Sequence, residues 1–241
     1  MPIKFSNLLQ DSWNFMRNQA NFTVTGVALL VLLQLGTFYL VPRPVVSLSN
    51  QDIVALLALQ MAPTIVSALV SVFINILLIL NIKSINNGNY QHFAQNVGET
   101  FKVFLPIVGL TIFMVLPMSI GISFGGTVGQ SGSLAIMILP LMATGIYVFV
   151  KLCLVVYAYL LEEPRKSFME TLKFTWGLSR GRMVPLFLFC VLSYMFPSLL
   201  GSVISNMSGE LGVIVSQVVG AFISLFVIIF SFRFYQVYRQ A

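Results

Sequence analysis

Lys151 is the one charged side chain that falls inside a long apolar run of this sequence. A cation at membrane depth marks a functional site by default, because leaving water is costly for it. The chemistry it offers is capture of a negative group, such as a lipid phosphate or an anionic solute. It stands eleven residues before Glu162, about 16 Å into a continuous helix at ~1.5 Å per residue. The competing reading is a lysine that snorkels from a protruding span to the headgroups. Ser67, Ser71 and Asn75 recur every four residues and share one helical face. Asn75 precedes Lys83 by eight residues, so it reaches about 12 Å depth by the same rise. Matched depth with no acid nearby predicts a polar pocket between Lys151 and Asn75, open toward the inner leaflet. Without such a pocket, the span-two hydroxyls and amide are hydrogen-bond glue between helices, as are Gln34 and Gln217.

Other chemistry is poorly supplied. His92 is the sole histidine and lies beside Phe93 in an amphipathic segment, which suits a surface residue better than a base. Glu162 and Glu163 sit next to Arg165 and Lys166 and read as a solvated charge cluster at a helix end. The H-E-x-x-H and Walker patterns are missing. Cys153 and Cys190 both fall in apolar runs without C-x-x-C spacing, so neither a disulfide nor a metal site is expected. The glycines of 125–132 lack the strand-helix context of a phosphate loop. No cofactor, metal or catalytic residue is therefore expected, and the protein reads as a non-enzyme.

The elements that must position Lys151 are membrane helices. Hydrophobic residues make up 58% of the 241 residues and charged ones only 8%, against about 25% charged in soluble domains. The mean hydropathy is +0.93. Such a chain cannot cover a surface facing water, so lipid is its solvent. Spans are expected at about 22–41, 63–82, 103–124, 134–161, 183–204 and 211–232, each long enough for ~30 Å of hydrocarbon. Pro42-Arg43-Pro44 stops the first span, and residues 53–61 read as a short helix on the far surface. Pro117 and Pro197 are expected to kink their spans, and Gly121 with Gly125 makes a small-xxx-small step. Residues 125–133 read as a flexible loop and 206–210 as a tight turn.

A shorter pattern precedes each pair of spans. In FMETLKFTWGLSRGR, Phe168, Leu172 and Trp176 recur every four residues. Phe5, Leu9 and Trp13 repeat that spacing, as do Phe93, Val97 and Phe101. A small hydroxyl comes just before the last aromatic each time: Ser12, Thr100 and Thr175. Arg17 and Arg180 follow four residues after Trp13 and Trp176. Each stretch reads as an amphipathic interfacial helix, with Trp13, Arg17, Phe101, Trp176 and Arg180 as its anchors. The fold class is thus all-α: a polytopic membrane protein of six transmembrane helices in three hairpins, each preceded by a cytoplasmic amphipathic interfacial helix. A single integral membrane domain, 1–241, contains repeat units at about 4–82, 90–161 and 164–233.

Six spans place both termini on one side with Lys4, Arg17, Lys83, Lys102, Arg165, Lys166, Lys173, Arg180, Arg182, Arg233 and Arg239, leaving only Arg43 opposite. The positive-inside rule makes that side the cytoplasm. There, anionic headgroups attract each base by about 1 kcal/mol. Tyr157, Tyr159, Tyr235 and Tyr238 read as an aromatic belt at the same level. The net charge of +6 is spread along span ends rather than gathered in a block, which argues for membrane lipids, not nucleic acid. A membrane-protein partner or a second copy of the chain is the other expected contact.

Phe15, Arg17, Asn18 and Gln19, then Leu172, Thr175, Trp176 and Pro185, then Arg233, Tyr235, Arg239 and Gln240 resemble the YciC-like family of bacterial inner-membrane proteins. The resemblance runs nearly the full length. It implies a multi-pass inner-membrane protein loosely associated with envelope homeostasis, and it carries over no catalytic residues. The layout also looks like the membrane domain attached to some glycerophosphodiester phosphodiesterases, which is not their catalytic part. The expected function is envelope maintenance without catalysis, through lipid or membrane-protein contacts. The alternative is a transporter or flippase-like carrier of a lipid or anionic solute, with its pocket near Lys151 and Asn75. An intramembrane enzyme comes last, for want of acid-base or metal groups.

Overall fold

A computed structural model describes residues 3–40, 50–128, 135–205 and 210–240. All the regular structure in the described residues is helical, and six stretches are long and apolar enough to cross a membrane: Ala20–Tyr39, Met61–Asn86, Phe93–Ser123, Leu139–Leu161, Met183–Leu200 and Ile214–Gln240. The chain is a multi-pass helical membrane protein. In order, the helices are α1 (Phe5–Asn18), α2 (Ala20–Leu40), α3 (Asn50–Asn86), α4 (Val97–Val128), α5 (Ala135–Leu152), α6 (Val155–Leu161), α7 (Phe168–Leu178), α8 (Met183–Cys190), α9 (Phe196–Ser205) and α10 (Glu210–Gln240).

Where local chemistry was ambiguous, the chain resolves it in favour of longer or broken helices. Residues 53–61 are not a separate surface helix but part of α3, which continues through Pro63. A proline there removes one backbone donor and leaves the carbonyl four residues earlier, at Leu59, without it; the Ser67 hydroxyl bonds the Pro63 carbonyl at 2.8 Å within the same helix. The second amphipathic stretch is a short 3-10 turn, Phe93–Asn96, that runs directly into α4. Pro106 and Pro117 both lie inside α4, which extends to Val128, beyond the start of the expected loop. Span four is the reverse case. It ends as α5 at Leu152 and restarts as α6 at Val155, so Lys151 stands beside a break rather than in mid-helix. Span five is interrupted by a π turn, Val191–Met195, just ahead of Pro197. Ser193, whose carbonyl the proline ring would crowd in a regular α-helix, is inside that wider turn. The turn at Pro42-Pro44 lies outside the described residues, as does most of that at 206–210.

The chain forms two compact units. One comprises Met1–Phe5, Lys102–Phe196 and Ser231–Ala241, the other Ser6–Phe101 and Pro197–Phe230. In the first, the Phe234 ring stacks on Phe189 at 4.4 Å and on Phe5 at 5.7 Å. Helices α4 and α5 approach at glycines: a Cβ on Gly121 would stand 3.2 Å from the Met142 Cα, and one on Gly145 only 2.7 Å from the Pro117 oxygen. In the second unit, buried Phe22 meets the rings of Phe15, Tyr90 and Phe93. The Gln34 amide oxygen there would lie 3.4 Å from a Cβ on Gly220. Buried Asn81 donates to the Phe93 carbonyl at 2.9 Å and accepts from Asn96 at 2.8 Å, so it ties the end of α3 to the 3-10 turn. Outside these cores the spans expose Val24, Leu32, Leu105, Ile112, Leu139, Phe187 and Leu199, an apolar surface fit for lipid.

Candidate functional site at Lys151

The hydroxyl-aromatic step is built the same way in all three places. Ser12, Thr100 and Thr175 are buried, and each donates to the carbonyl four residues earlier: Leu8 at 2.7 Å, Asn96 at 2.8 Å and Thr171 at 2.9 Å. Bonding within its own helix lets a small polar group face the core without an unmet donor. The next residue then points outward. Trp13 is 52% exposed and Phe101 66%, while Trp176 is half-buried.

Each of these aromatics rests on an aromatic of a span. Trp13 meets Phe222 at 6.1 Å, Phe101 meets Phe73 at 4.8 Å, and Trp176 meets Tyr147 at 6.1 Å between ring centroids. In chain order the partner belongs to the second span of the preceding pair, and the first copy takes the last span. One turn further along the span, at four residues, stand Leu77 after Phe73 and Phe226 after Phe222. After Tyr147 the same position is Lys151.

Lys151 is only 6% exposed. Its ammonium nitrogen lies 5.0 Å from the Trp176 ring centroid and 5.5 Å from that of Tyr147. Among the described residues no carboxylate pairs with it. It occupies the last turn of α5, where the helix dipole favours a cation by about 0.3–1 kcal/mol. An aromatic face contributes roughly 0.5–2 kcal/mol. A lysine inside a span costs up to about 2.5–3.5 kcal/mol at the bilayer centre and less where it can reach the interface. The favourable terms offset at most about 3 kcal/mol of that, so the charge adds little stability, whereas an apolar residue at this position would carry no such cost.

The other expected site residues are placed as follows. Asn75 donates to the Ser71 carbonyl at 2.8 Å and approaches the Ser71 hydroxyl at 3.5 Å. Ser67, Ser71 and Asn75 are half-buried along one face of α3. Asn75 and Lys151 fall in different compact units. Arg17 and Arg180 are exposed at the ends of their short helices. Lys173 is exposed on α7, three residues before Trp176, on the same helical face. His92 is exposed, and both cysteines are free thiols.

Two expectations are overturned. Tyr235 and Tyr238 are not belt residues but among the most buried side chains, and Tyr159 is buried too. Glu162 is not a solvated acid. It is buried, accepts the Tyr235 hydroxyl at 2.6 Å and pairs with Arg239 at 2.8 Å and Lys166 at 3.2 Å. The Tyr238 hydroxyl donates toward the carbonyls of Arg182 and Leu178. The tail of α10 is thus fastened to the α6–α7 connection through buried groups.

Tyr147 was missed by sequence reading, although its place four residues before Lys151 on the same helix was available. The meeting of Lys151 with Trp176 had no sequence signal. Among known proteins, the chain is similar over its whole length to one of Haemophilus influenzae described as an uncharacterized protein, with 27% identity over 252 residues covering 100% of both chains. No family model matches, and no solved structure matches.

Proposed function

We propose that this is a bacterial inner-membrane protein of the YciC-like kind, with both termini in the cytoplasm, that serves envelope maintenance without catalysis by holding lipids or membrane proteins at the inner leaflet. The observation that carries the reading is the triple placement of an outward aromatic beside a base: Trp13 with Arg17, Phe101 with Lys102, and Trp176 with Lys173 and Arg180. Amphipathic rings settle at the headgroup level, and bases there meet anionic lipid. The full-length similarity to a Haemophilus influenzae protein supports a bacterial setting. Melting the purified protein in nanodiscs of phosphatidylglycerol and of phosphatidylcholine tests this. A higher Tm in the anionic lipid is expected; equal values would remove the lipid role. Reporter fusions at residues 90–100 and 165–180 should face the cytoplasm.

A carrier of lipid or anionic solute is the second reading. It is favoured by the interruptions between α5 and α6 and between α8 and α9, since broken spans are common where transporters bind substrate. Solute or lipid flux in reconstituted vesicles that depends on Lys151 would select it.

A further inference from the structure

Lys151 does not belong to the packing scheme that surrounds it. The same aromatic pair is made three times, and in two cases the residue one turn along is Leu77 or Phe226. Holding an interfacial aromatic against a span therefore requires no charge. At the third pair the apolar side chain is replaced by a lysine whose nitrogen is flanked by Trp176 and Tyr147. Among the described residues it has no carboxylate partner. An ammonium carries three donors, and aromatic faces accept none of them as an oxygen would. In a bilayer the group that reaches such a point is a headgroup. Lys173 lies on the same face of α7 as Trp176, so a second cation borders the approach.

We propose that Lys151, Tyr147 and Trp176 form a binding site for a single anionic phosphodiester, that of an inner-leaflet phospholipid headgroup. The phosphate oxygens accept from the Lys151 ammonium, the two rings flank the cation, and Lys173 favours an anionic lipid over a zwitterionic one. This deepens the lipid reading above and rests on it, because the site faces lipid only if Trp176 lies at the membrane interface.

The two tryptophans of the chain provide the test. In a Trp13→Phe background Trp176 is the only tryptophan, and its emission reports the site. Titrating phosphatidylglycerol into detergent-solubilised protein should shift that emission saturably, with phosphatidylcholine at least tenfold weaker. Lys151→Leu should abolish the saturable shift and Lys151→Arg should keep it. Inorganic phosphate is the competing arm: if millimolar phosphate reproduces the shift, the ligand is the free anion and the lipid assignment is wrong. If Lys151→Leu is folded by its melt and binds phosphatidylglycerol like its parent, the site is refuted. Should Lys151→Leu fail to fold, native mass spectrometry of Trp176→Leu and Lys173→Gln decides. Each should lose one retained anionic lipid per protein, and unchanged retention in both refutes the site. The nanodisc melts answer separately: a general preference for anionic lipid that survives Lys151→Leu leaves the broader reading standing while this site falls.

Discussion

The Tyr235 hydroxyl donates to the buried Glu162 carboxylate at 2.6 Å, across 73 positions of the chain. The same oxygen takes the Arg239 Nε at 2.8 Å, and the other takes Lys166 at 3.2 Å. These partners are unequal. The Tyr235 ring is fully buried, whereas the Arg239 side chain is 51% exposed and that of Lys166 30%. Solvent screens the two ion pairs, which leaves each worth under about 1 kcal/mol. The buried, charge-assisted hydrogen bond is worth about 1.5–3 kcal/mol.

Tyr235→Phe should therefore lower the stability of the detergent-solubilised protein more than Arg239→Ala does, by a factor of about two on these magnitudes. Tyr235→Phe and Glu162→Gln combined should cost less than the sum of the two, since one removes and the other weakens the same bond. Thermal melts of the four proteins check this. An Arg239→Ala variant that melts lower than Tyr235→Phe would show that the ion pair dominates.

The contact of α4 with α5 gives a second ordering. A methyl on Gly145 would sit 2.7 Å from a backbone oxygen of Pro117, one on Gly121 would sit 3.2 Å from the Met142 Cα, and one on Gly36 meets nothing within 4 Å. Backbone cannot rotate aside as a side chain can. Gly145→Ala should cost about 1–3 kcal/mol, Gly121→Ala less, and Gly36→Ala should be neutral or stabilising by up to about 1 kcal/mol from helix propensity. Equal melts for Gly145→Ala and Gly36→Ala would mean that the two helices do not approach closely.

The spans were legible because lipid imposes one simple demand, length times hydropathy, and each stretch meets it locally. Ala20–Tyr39 and Met183–Leu200 fall within a few residues of the sequence estimates. The step of a buried hydroxyl and an outward aromatic was legible for a similar reason, as helical spacing is a local property. What escaped the sequence was long-range or against local preference. No glycine or proline marks residues 152–154, so the break after Lys151 had no local sign. Glu162 read as solvated because two bases follow it closely. Its burial depends on Tyr235 and Arg239, which only the folded chain brings alongside. Tyr235 and Tyr238 resembled belt residues because a tyrosine near a span end looks the same whether it turns outward or inward.

Asn81 offers a contrast between polar groups bonded across helices and those bonded within one. Its amide donates to the Phe93 carbonyl and accepts from Asn96; Thr175 bonds only to its own helix, at Thr171. Asn81→Leu removes the donor to the Phe93 carbonyl and the acceptor of one Asn96 N–H, while the Asn96 amide keeps its bond to Ser84 at 3.0 Å, a cost of about 1–3 kcal/mol in all. Thr175→Val keeps shape and leaves behind a carbonyl that helix bonding already serves, so its cost should stay under about 1 kcal/mol. Denaturation midpoints that rank Thr175→Val as the worse of the two would contradict this account of the 3-10 turn.

The start of α7 should respond to acid. Glu170 accepts from the Ser167 backbone N–H at 2.9 Å. That bond, with the Ser167 hydroxyl and then nearby Lys166 and Lys173, holds its carboxyl below the usual carboxylate range. A depressed folded pKa means that the charged form stabilises the helix start at pH above the unfolded value, about 4.3. That contribution is lost as pH falls through the folded value. Hydrogen exchange of the first amides of α7 should therefore be flat between about pH 6 and 8 after correction for intrinsic rates. Protection should fall below about pH 4, where the protonated parent converges on the Glu170→Gln variant, whose lower protection does not change with pH. Because α7 carries Trp176, the same acid step should appear in tryptophan emission of the Trp13→Phe protein and be absent when Glu170→Gln is added. An acid response that survives Glu170→Gln unchanged would place the titrating group elsewhere.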